Sequence, residues 1–385
     1  MVKNTGYSKK IVVFLGAGAS QFIGYRTFQS FDTLILDSNV RNNENLPAIP
    51  EATVQLIKEI QTSLIRQRRP VTHDNYLWML EYYHQFCKTF SSGDLIKARL
   101  QQQSGDLWGT IGPFGEQIKE AISDMIATTL HHYSQNRVRM SDHRTISAIR
   151  EVALFYQKLA SMNNHHAPYV AIFTTNYDML LEDIFLDSAL GFSSLPLVNG
   201  IPGVTAEQAA WRPEEYDIQG KSGIHLYRLH GCVCWLYHIY GSEAVYHHRE
   251  DLLYQDLNSL CVMIPGREIH RGKKPHALGF RELYNHLRLC DAAVFIGFSF
   301  RDDDVMHLLM AANAARGEVP IKIIVVNPLM NPDRVKANLE EASTRSVFPV
   351  RIPALADIKH LPIRFGWDDN FADSIIEQLE KEIVI

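Results

Sequence analysis

The sequence predicts an α/β fold in which a doubly wound parallel sheet carries a large all-helical insertion. The first observation is a recurrence of short apolar runs typical of strands: Ile11–Leu15, Tyr169–Thr174, Ile224–Leu229, Ala292–Ile296 and Ile321–Val326. Several runs are apolar on both faces, as strands buried inside a parallel sheet are. The second observation is that helical patterns separate them, at Asp178–Phe185, Arg281–Leu289 and Asp303–Ala315. Strands that alternate with helices favour a doubly wound sheet.

The third observation is a long segment between the first two strands that carries little strand signal. Apolar residues recur there at helical spacing in three places: Val54, Ile57, Ile60 and Leu64; then Ile118, Ile122 and Met125; then Ile146, Ile149, Val152 and Leu159. We therefore predict a helical insertion domain over residues 36–167, lying over the mouth of the sheet. Residues 1–35 and 168–385 together form the predicted α/β domain.

Composition narrows the function classes. The chain has 385 residues, 46% hydrophobic and 21% charged, with a mean hydropathy of −0.13. Its longest apolar runs are too short to cross a bilayer, and no signal peptide is visible. A net charge of −5 gives no footprint for nucleic acid. Five scattered cysteines suit a reducing compartment, so we expect a cytoplasmic protein. The short apolar runs and the net charge lead us to expect no membrane and no nucleic-acid partner.

The first strand ends in a glycine-rich turn, within KKIVVFLGAGASQFIG at residues 9–24. Gly16, Gly18 and Ser20 would let backbone N–H groups approach a phosphate, although Gly-x-Gly is also a common structural turn. The dehydrogenase fingerprint needs a third glycine where this chain has Gln21. Asp37 could still serve as the ribose-binding acid of such an enzyme, so hydride transfer remains an alternative. No GxxxxGK[ST] motif occurs, which argues against an ATPase.

Polar residues also follow the other predicted strands. In chain order they are Asn176 and Asp178, then His230, then Gly297 and Ser299, and finally Asn327. Each has an ordinary structural interpretation: Asn and Asp commonly cap helices, and a histidine at a strand end can be a satisfied core residue. Because the carboxyl ends of parallel strands line one crevice, their convergence predicts a ligand site there.

These residues carry a family resemblance. The stretches GAGAS (16–20), TTNYD (174–178), LHG (229–231), GFS (297–299) and VVN (325–327) resemble, in the same order, the motifs of the sirtuin-like family. The resemblance implies a Rossmann-like, sirtuin-type fold in which NAD lies across the sheet. It covers residues 11–35 and about 168–330 of the chain.

The departures from that pattern concern peptide chemistry. Sirtuin deacylases have a glutamine where this chain has Thr175, and of their loop GIPxFR only Gly24 and Phe28 match. They also carry a zinc ribbon with two CxxC pairs, whereas Cys232 and Cys234 form CxC here. That spacing suits zinc poorly, so no metal is expected. The chain is more similar to the bacterial sirtuin-like proteins of anti-phage defence, which hydrolyse NAD.

The resemblance therefore implies an NAD⁺ glycohydrolase that uses NAD as substrate. In that interpretation Asn176 fixes the nicotinamide ribose and a water, His230 accepts a proton, and Asp178 orients the loop or offsets positive charge. The predicted nucleotide-binding residues are Gly16, Ala17, Gly18, Ala19, Ser20, Phe28, Thr174, Thr175, Gly297, Ser299 and Asn327. Backbone donors of residues 16–20 would hold the pyrophosphate.

Three alternative activities stay open, together with expectations about an aromatic stretch and about partners. The chain could be an NAD-dependent deacylase, a non-catalytic sensor of NAD or ADP-ribose, or the dehydrogenase considered above. The aromatic-rich stretch THDNYLWMLEYYHQF at 72–86 is either helical core or an interface. The resemblance favours a homo-oligomer, and a hexameric HerA-type ATPase as a partner.

Overall fold

The computed structural model describes residues 10–23, 143–163, 168–186, 195–201, 209–216, 222–237, 244–246, 260–263, 275–317, 319–345 and 358–383, together with single helical residues between 51 and 66. The stretch 72–86, Gly24, Phe28, Asp37 and Cys87 lie outside these ranges, as does most of the predicted insertion. The division of the chain into two domains accordingly stays a prediction.

A seven-stranded parallel sheet forms the centre of the fold. Its strands are β1 (Ile11–Leu15), β2 (Tyr169–Thr174), β3 (Leu197–Val198), β5 (Gly223–Arg228), β9 (Ala292–Ile296), β10 (Lys322–Val326) and β11 (Ile358–Leu361). They lie in the order β11-β10-β9-β1-β2-β5-β3. The predicted doubly wound parallel sheet is confirmed, and the five predicted strands agree with it to within a residue.

Two layers of helices flank this sheet. The helices are α1 (His143–Asn163), α2 (Leu180–Leu186), α3 (His276–Leu289), α4 (Asp303–Ala314), α5 (Pro332–Arg345) and α6 (Phe371–Ile383). Helices α1 and α6 contact each other and strands β2, β5, β9 and β10. Helices α3, α4 and α5 contact one another in sequence and form the second layer. Both layers bury apolar residues against the strands, which explains why the strands are apolar on both faces.

Helix α1 belongs structurally to the sheet, although its apolar pattern falls inside the segment predicted as the insertion. Val152, Phe155 and Leu159 are buried, and Phe155 meets Phe371 of α6 at a ring distance of 6.3 Å. The end of the helix is tied to β1, because Asn163 Oδ1 accepts a hydrogen bond from Ile11 N at 2.8 Å. The main-chain polar groups at the edge of the core are thereby satisfied.

A second, antiparallel sheet of four strands was not predicted. It contains β4 (Ala209–Ala210), β6 (Gly231–Tyr237), β7 (Ala244–Tyr246) and β8 (Leu260–Val262) in the order β4-β7-β6-β8. Gly231 begins β6 directly after β5 and has a φ of 79°, a conformation that favours glycine. A Cβ at this position would lie 1.9 Å from Cys261 O, so no larger residue fits the junction of the two sheets.

Candidate functional site

The predicted polar residues follow the carboxyl ends of neighbouring strands. In the observed order, β10, β9, β1, β2 and β5 are adjacent, so their carboxyl ends share one edge. The chain runs from β1 to β2 and β5 on one side, and from β9 to β10 and β11 on the other. The strand order therefore reverses between β1 and β9. In open α/β sheets the crevice at such a point is where ligands bind.

Two glycine turns interlock at this reversal point. A Cβ on Gly16 would lie 2.6 Å from Gly297 O, and one on Gly18 would lie 2.9 Å from Gly297 Cα. Gly297 itself has a φ of 61°, and a Cβ there would lie 2.2 Å from Ala19 N. Contacts this short do not occur for real Cβ atoms, so the close approach of the two backbones requires all three glycines.

Hydrogen bonds within the first turn and between the two turns use amide groups that the sequence pattern assigns to a pyrophosphate. Gly16 N donates to Ile296 O at 2.9 Å, Gly18 N to Gly297 O at 3.0 Å, and Ala19 N to Gly16 O at 2.9 Å. These three N–H groups donate to protein carbonyls in this structure. A pyrophosphate contact of Gly16, Gly18 or Ala19 stays a prediction, and their N–H groups would have to exchange these protein partners for the ligand. Ala17 and Ser20 remain as predicted contacts.

Asn176 lies against the glycine turn and is 6% exposed. Its Nδ2 donates to Gly16 O at 3.0 Å and to Ser20 Oγ at 3.2 Å. Its own N–H donates to Thr174 Oγ1 at 3.0 Å, which fixes the start of the loop. Within the described part of the chain, no residue donates a hydrogen bond to Asn176 Oδ1. This oxygen is thus the acceptor that Asn176 can offer to a bound molecule.

Asp178 is buried in the same loop and stabilises it. Its Oδ1 accepts a hydrogen bond from Leu180 N at 3.0 Å, the local capping bond that the structural interpretation of this residue predicts. Burial raises the pKa of Asp178 above its usual range, although the charge of Arg228 and a hydrogen bond from Ser20 act in the opposite direction. An ionised Asp178 is therefore less stable here than in water.

A buried ion pair that the sequence did not suggest holds this loop in position. Arg228 and Glu182 are 2% and 3% exposed, and Arg228 Nε donates to Glu182 Oε1 at 2.8 Å. A second bond joins Arg228 Nη2 to Glu182 Oε2, so the pair is bidentate. Arg228 Nη1 also donates to Asn176 O at 3.0 Å. The ion pair thus positions the main chain of Asn176.

His230 pairs with a carboxylate that sequence reasoning missed. His230 Nε2 lies 3.1 Å from Asp302 Oδ2, and their side chains are 14% and 18% exposed. Burial raises the pKa of Asp302, but the charge of His230 and several hydrogen bonds outweigh it, so the pKa lies below its usual range. Asp302 stands in the stretch FRDDD just after Gly297 and Ser299. Those acidic residues after a strand were the available signal.

The remaining predicted residues hold loops together. Asn327 Nδ2 donates to Phe298 O at 3.2 Å, and Asn327 Oδ1 accepts from Leu329 N at 2.9 Å. Ser299 is exposed, and its carbonyl accepts from Asn338 Nδ2 at 2.9 Å. Thr174 Oγ1 donates to Leu15 O at 3.1 Å. Contacts of these residues and of Thr175 with a nucleotide stay predictions.

The cysteines near the site are buried thiols. Cys232 and Cys261 form no disulfide and are buried, and Cys261 Sγ lies 3.5 Å from His276 Nε2. His276 Nδ1 bonds to Leu229 O at 2.9 Å, so His276 anchors the strand end that precedes His230. The described ranges contain no group of three His, Cys, Asp or Glu side chains suited to a metal ion. The side chain of Cys234 lies outside them.

Together these features define an α/β protein with polar residues gathered at a topological switch point. Residues 170–347 match the family model described as the SIR2-like domain. The matched segment contains Asn176, His230 and Asp302 and excludes the glycine turn at 16–20. A search of the curated proteins gives no significant match. Within the described residues, no helix has the length and apolarity needed to cross a membrane.

Solved structures of Sir2 proteins are similar at low identity. A Sir2 complex with a p53 peptide and NAD⁺ is 13% identical, covers 97% of this chain and 95% of its own, and gives a TM-score of 0.38. A structure concerned with the mechanism and regulation of Sir2 enzymes is 15% identical, with coverages of 97% and 94% and a TM-score of 0.38. Sir2Tm bound to a propionylated peptide is 13% identical, with coverages of 96% and 93% and a TM-score of 0.35. Identities this low do not indicate a shared activity.

Proposed function

We propose that the protein is an NAD⁺ glycohydrolase, which cleaves NAD⁺ to nicotinamide and ADP-ribose. The observation that carries the proposal is a juxtaposition at the ends of β2 and β5. Asn176, after β2, offers an acceptor oxygen there, and His230, after the neighbouring strand β5, is held by Asp302. Both side chains lie in the segment that matches the SIR2-like domain.

The reaction suits these groups. The bond between ribose C1′ and the nicotinamide nitrogen breaks, and nicotinamide leaves with the electron pair as a neutral molecule. The ribose passes through an oxocarbenium-like state, to which the oxygen of a water adds at C1′. The water then loses a proton. The protein has to position the sugar and the water, stabilise positive charge and accept that proton.

Asn176 and His230 supply the polar contacts for these steps. Asn176 Oδ1 accepts a hydrogen bond from a ribose hydroxyl or from the attacking water. His230 accepts the proton, because an imidazole titrates near neutral pH. Asp178 holds the loop through Ser20 and Leu180 and, when ionised, favours positive charge nearby. Ala17, Ser20, Gly297 and Ser299 are the proposed contacts for the rest of the dinucleotide.

A product assay tests the proposal. Purified protein is incubated with NAD⁺ and the products are identified by chromatography, with and without an acylated peptide. We expect nicotinamide and ADP-ribose without peptide, and loss of both in Asn176→Ala and His230→Ala with an unchanged circular dichroism spectrum. His307→Gln is the matched control, because His307 bonds to Ala342 O on α5 and lies outside the proposed machinery.

Other outcomes point elsewhere. Nicotinamide release only with the peptide would make the protein a deacylase, and binding without turnover would make it a sensor. NADH formation would revive the dehydrogenase alternative. Near-normal turnover by His230→Ala would refute the mechanism assigned here.

We also propose that the enzyme is an effector of anti-phage defence in the cytoplasm, because an unrestrained NAD⁺ hydrolase would drain the cofactor of its own cell. We therefore propose that the activity of the enzyme is controlled by its assembly, either into a homo-oligomer or with a hexameric HerA-type ATPase. The same assay run across a dilution series, with light scattering at each concentration, distinguishes these states. Full activity of a monomer at every concentration would contradict the assembly.

A further inference from the structure

We propose that Asp302 is the positioning residue for His230, selecting the ring tautomer that leaves Nδ1 as the proton acceptor. This inference rests on the proposed function for its kinetic consequence, but its structural content stands on the contacts of Asp302 alone. The family motifs compared above do not include this residue, and a carboxylate just before a helix is usually only a cap.

The two carboxylate oxygens of Asp302 have separate partners. Oδ1 accepts a hydrogen bond from Val305 N at 3.1 Å and caps helix α4. Oδ2 faces His230 Nε2 at 3.1 Å. The cap fixes the orientation of the carboxylate, so Oδ2 reaches His230 from a rigid base. The residue therefore joins the loop after β9 to the end of β5, across strands β1 and β2.

The chemistry of this contact determines the tautomer. An ionised carboxylate only accepts hydrogen bonds, so His230 Nε2 must carry the hydrogen. In the neutral ring the lone pair then lies on Nδ1, which becomes the basic atom. When Nδ1 takes a proton, the ring becomes a cation beside a carboxylate, which stabilises the protonated state. Asp302 thus favours both the tautomer before proton transfer and the product after it.

The separation of the two oxygens provides a decisive substitution. In Asp302→Asn, the amide oxygen can keep the bond to Val305 N while the amide nitrogen faces His230. That nitrogen donates, so His230 Nε2 must now accept and the hydrogen moves to Nδ1. The variant preserves the helix cap and inverts the tautomer. A residue that only capped the helix would tolerate this change, because asparagine is as good a cap as aspartate.

The first measurement does not depend on NAD⁺. Nitrogen-15 spectra of the histidine ring, with the His230 signal assigned by its loss in His230→Gln, report which ring nitrogen carries hydrogen. We expect hydrogen on Nε2 in the wild type at a pH where the ring is neutral, and on Nδ1 in Asp302→Asn. An unchanged ring signal in Asp302→Asn would overturn the proposal. If the shift occurs but the wild type does not cleave NAD⁺, the proposed function alone fails.

The second measurement concerns rate. We expect kcat for NAD⁺ cleavage to fall by about 100-fold or more in Asp302→Asn with KM changed little, since a positioned acid–base group contributes 10²–10⁴-fold. Asp302→Ser keeps an oxygen that can cap helix α4, but the shorter side chain cannot reach His230. This variant should therefore also lose activity without loss of thermal stability. Asp333→Asn removes an exposed carboxylate from the first turn of α5 and serves as the control. Wild-type kcat in Asp302→Asn would reduce Asp302 to a helix cap and refute the proposal.

Discussion

Gly297 is the residue on which the two glycine turns depend. It combines a φ of 61° with a backbone so close to Ala19 that no Cβ fits between them. Gly317, at the end of α4, has a φ of 70°, but among the described residues no atom would lie within 4 Å of a Cβ placed there. The two glycines therefore separate the effect of backbone strain from that of a clash.

Substitution by alanine should distinguish them. We expect Gly317→Ala to lower the free energy of unfolding by about 1–2 kcal/mol, the usual cost of a left-handed conformation for a residue with a Cβ. Gly297→Ala should cost clearly more and abolish NAD⁺ cleavage, because the turns must separate. Urea unfolding followed by fluorescence measures both values. Equal costs at the two positions would show that the turns are not interlocked as described.

At the residue scale, the sequence identifies the side chains that follow strands but not their partners. Asn176, Asp178 and His230 are recognisable because strand ends are visible as changes from apolar to polar residues. Asp302 and Arg228 are not, because each acts through a contact with a residue far away in the chain. The pattern assigns the amide groups of the first glycine turn to a ligand, since it cannot show that the second turn packs against them.

At the element scale, the pair Arg228–Glu182 joins strand β5 to helix α2. The pair is almost fully buried and each charge satisfies the other. Replacing only one of the two residues by a neutral one leaves an uncompensated charge in the interior. This costs more folding free energy than the loss of the attraction itself. The pair also supports the loop through Asn176 O. Stability and loop position can therefore be tested separately.

A double-mutant cycle makes that test. We expect Arg228→Met alone to lower the free energy of unfolding by about 3–5 kcal/mol, and the double variant with Glu182→Met to recover much of this loss. NAD⁺ cleavage should stay low in the double variant, because Asn176 O has lost its donor. Calorimetry and the product assay supply the two readouts.

The exposed pair Lys158–Asp373 is the control for the cycle. Its side chains are 47% and 61% exposed, so Lys158→Met should cost less than about 1 kcal/mol. Additive losses in the buried cycle would show that Arg228 and Glu182 contribute independently.

The five central strands of the parallel sheet were predictable from sequence, and its short outer strands were not. Strands β1 and β9 are apolar throughout, and β2 is apolar up to Thr174, because helices cover both faces. Strand β11 has only partly buried or exposed residues, and β3 and β4 have two residues each, so their patterns resemble loops. In the antiparallel sheet, β4, β7 and β8 have only two or three residues, whereas β6 has seven and was missed despite its length.

At the scale of the whole molecule, the interface between helix α3 and the sheet contains a titratable side chain, His286. His286 Nδ1 bonds to Glu282 O at 2.8 Å, and because a carbonyl only accepts, Nδ1 carries the hydrogen. His286 Nε2 then accepts from the hydroxyl of Tyr169 on β2 at 2.7 Å. Burial lowers the pKa of His286 below its ordinary value of 6.5. The fold therefore prefers the neutral ring.

This preference predicts how global stability depends on pH. The unfolded chain takes up a proton on His286 near pH 6.5, whereas the folded protein does so only at lower pH. The contribution of the neutral ring is present in full above pH 6.5 and decreases as the pH falls below that value. We expect the Tm to decrease between pH 6.5 and about 5, and less steeply in His286→Gln. A slope unchanged by His286→Gln, with His307→Gln as control, would contradict this account.

The interlocked glycine turns also bear on when the protein becomes active during its synthesis. The turn after β1 leaves the ribosome well before Gly297 and Asp302, which emerge only after most of the α/β fold has been made. Until then the first turn lacks Gly297, and His230 lacks Asp302. Unfinished chains therefore cannot assemble the site. A cell translating this protein would meet its proposed NAD⁺-cleaving activity only in chains extended beyond helix α4.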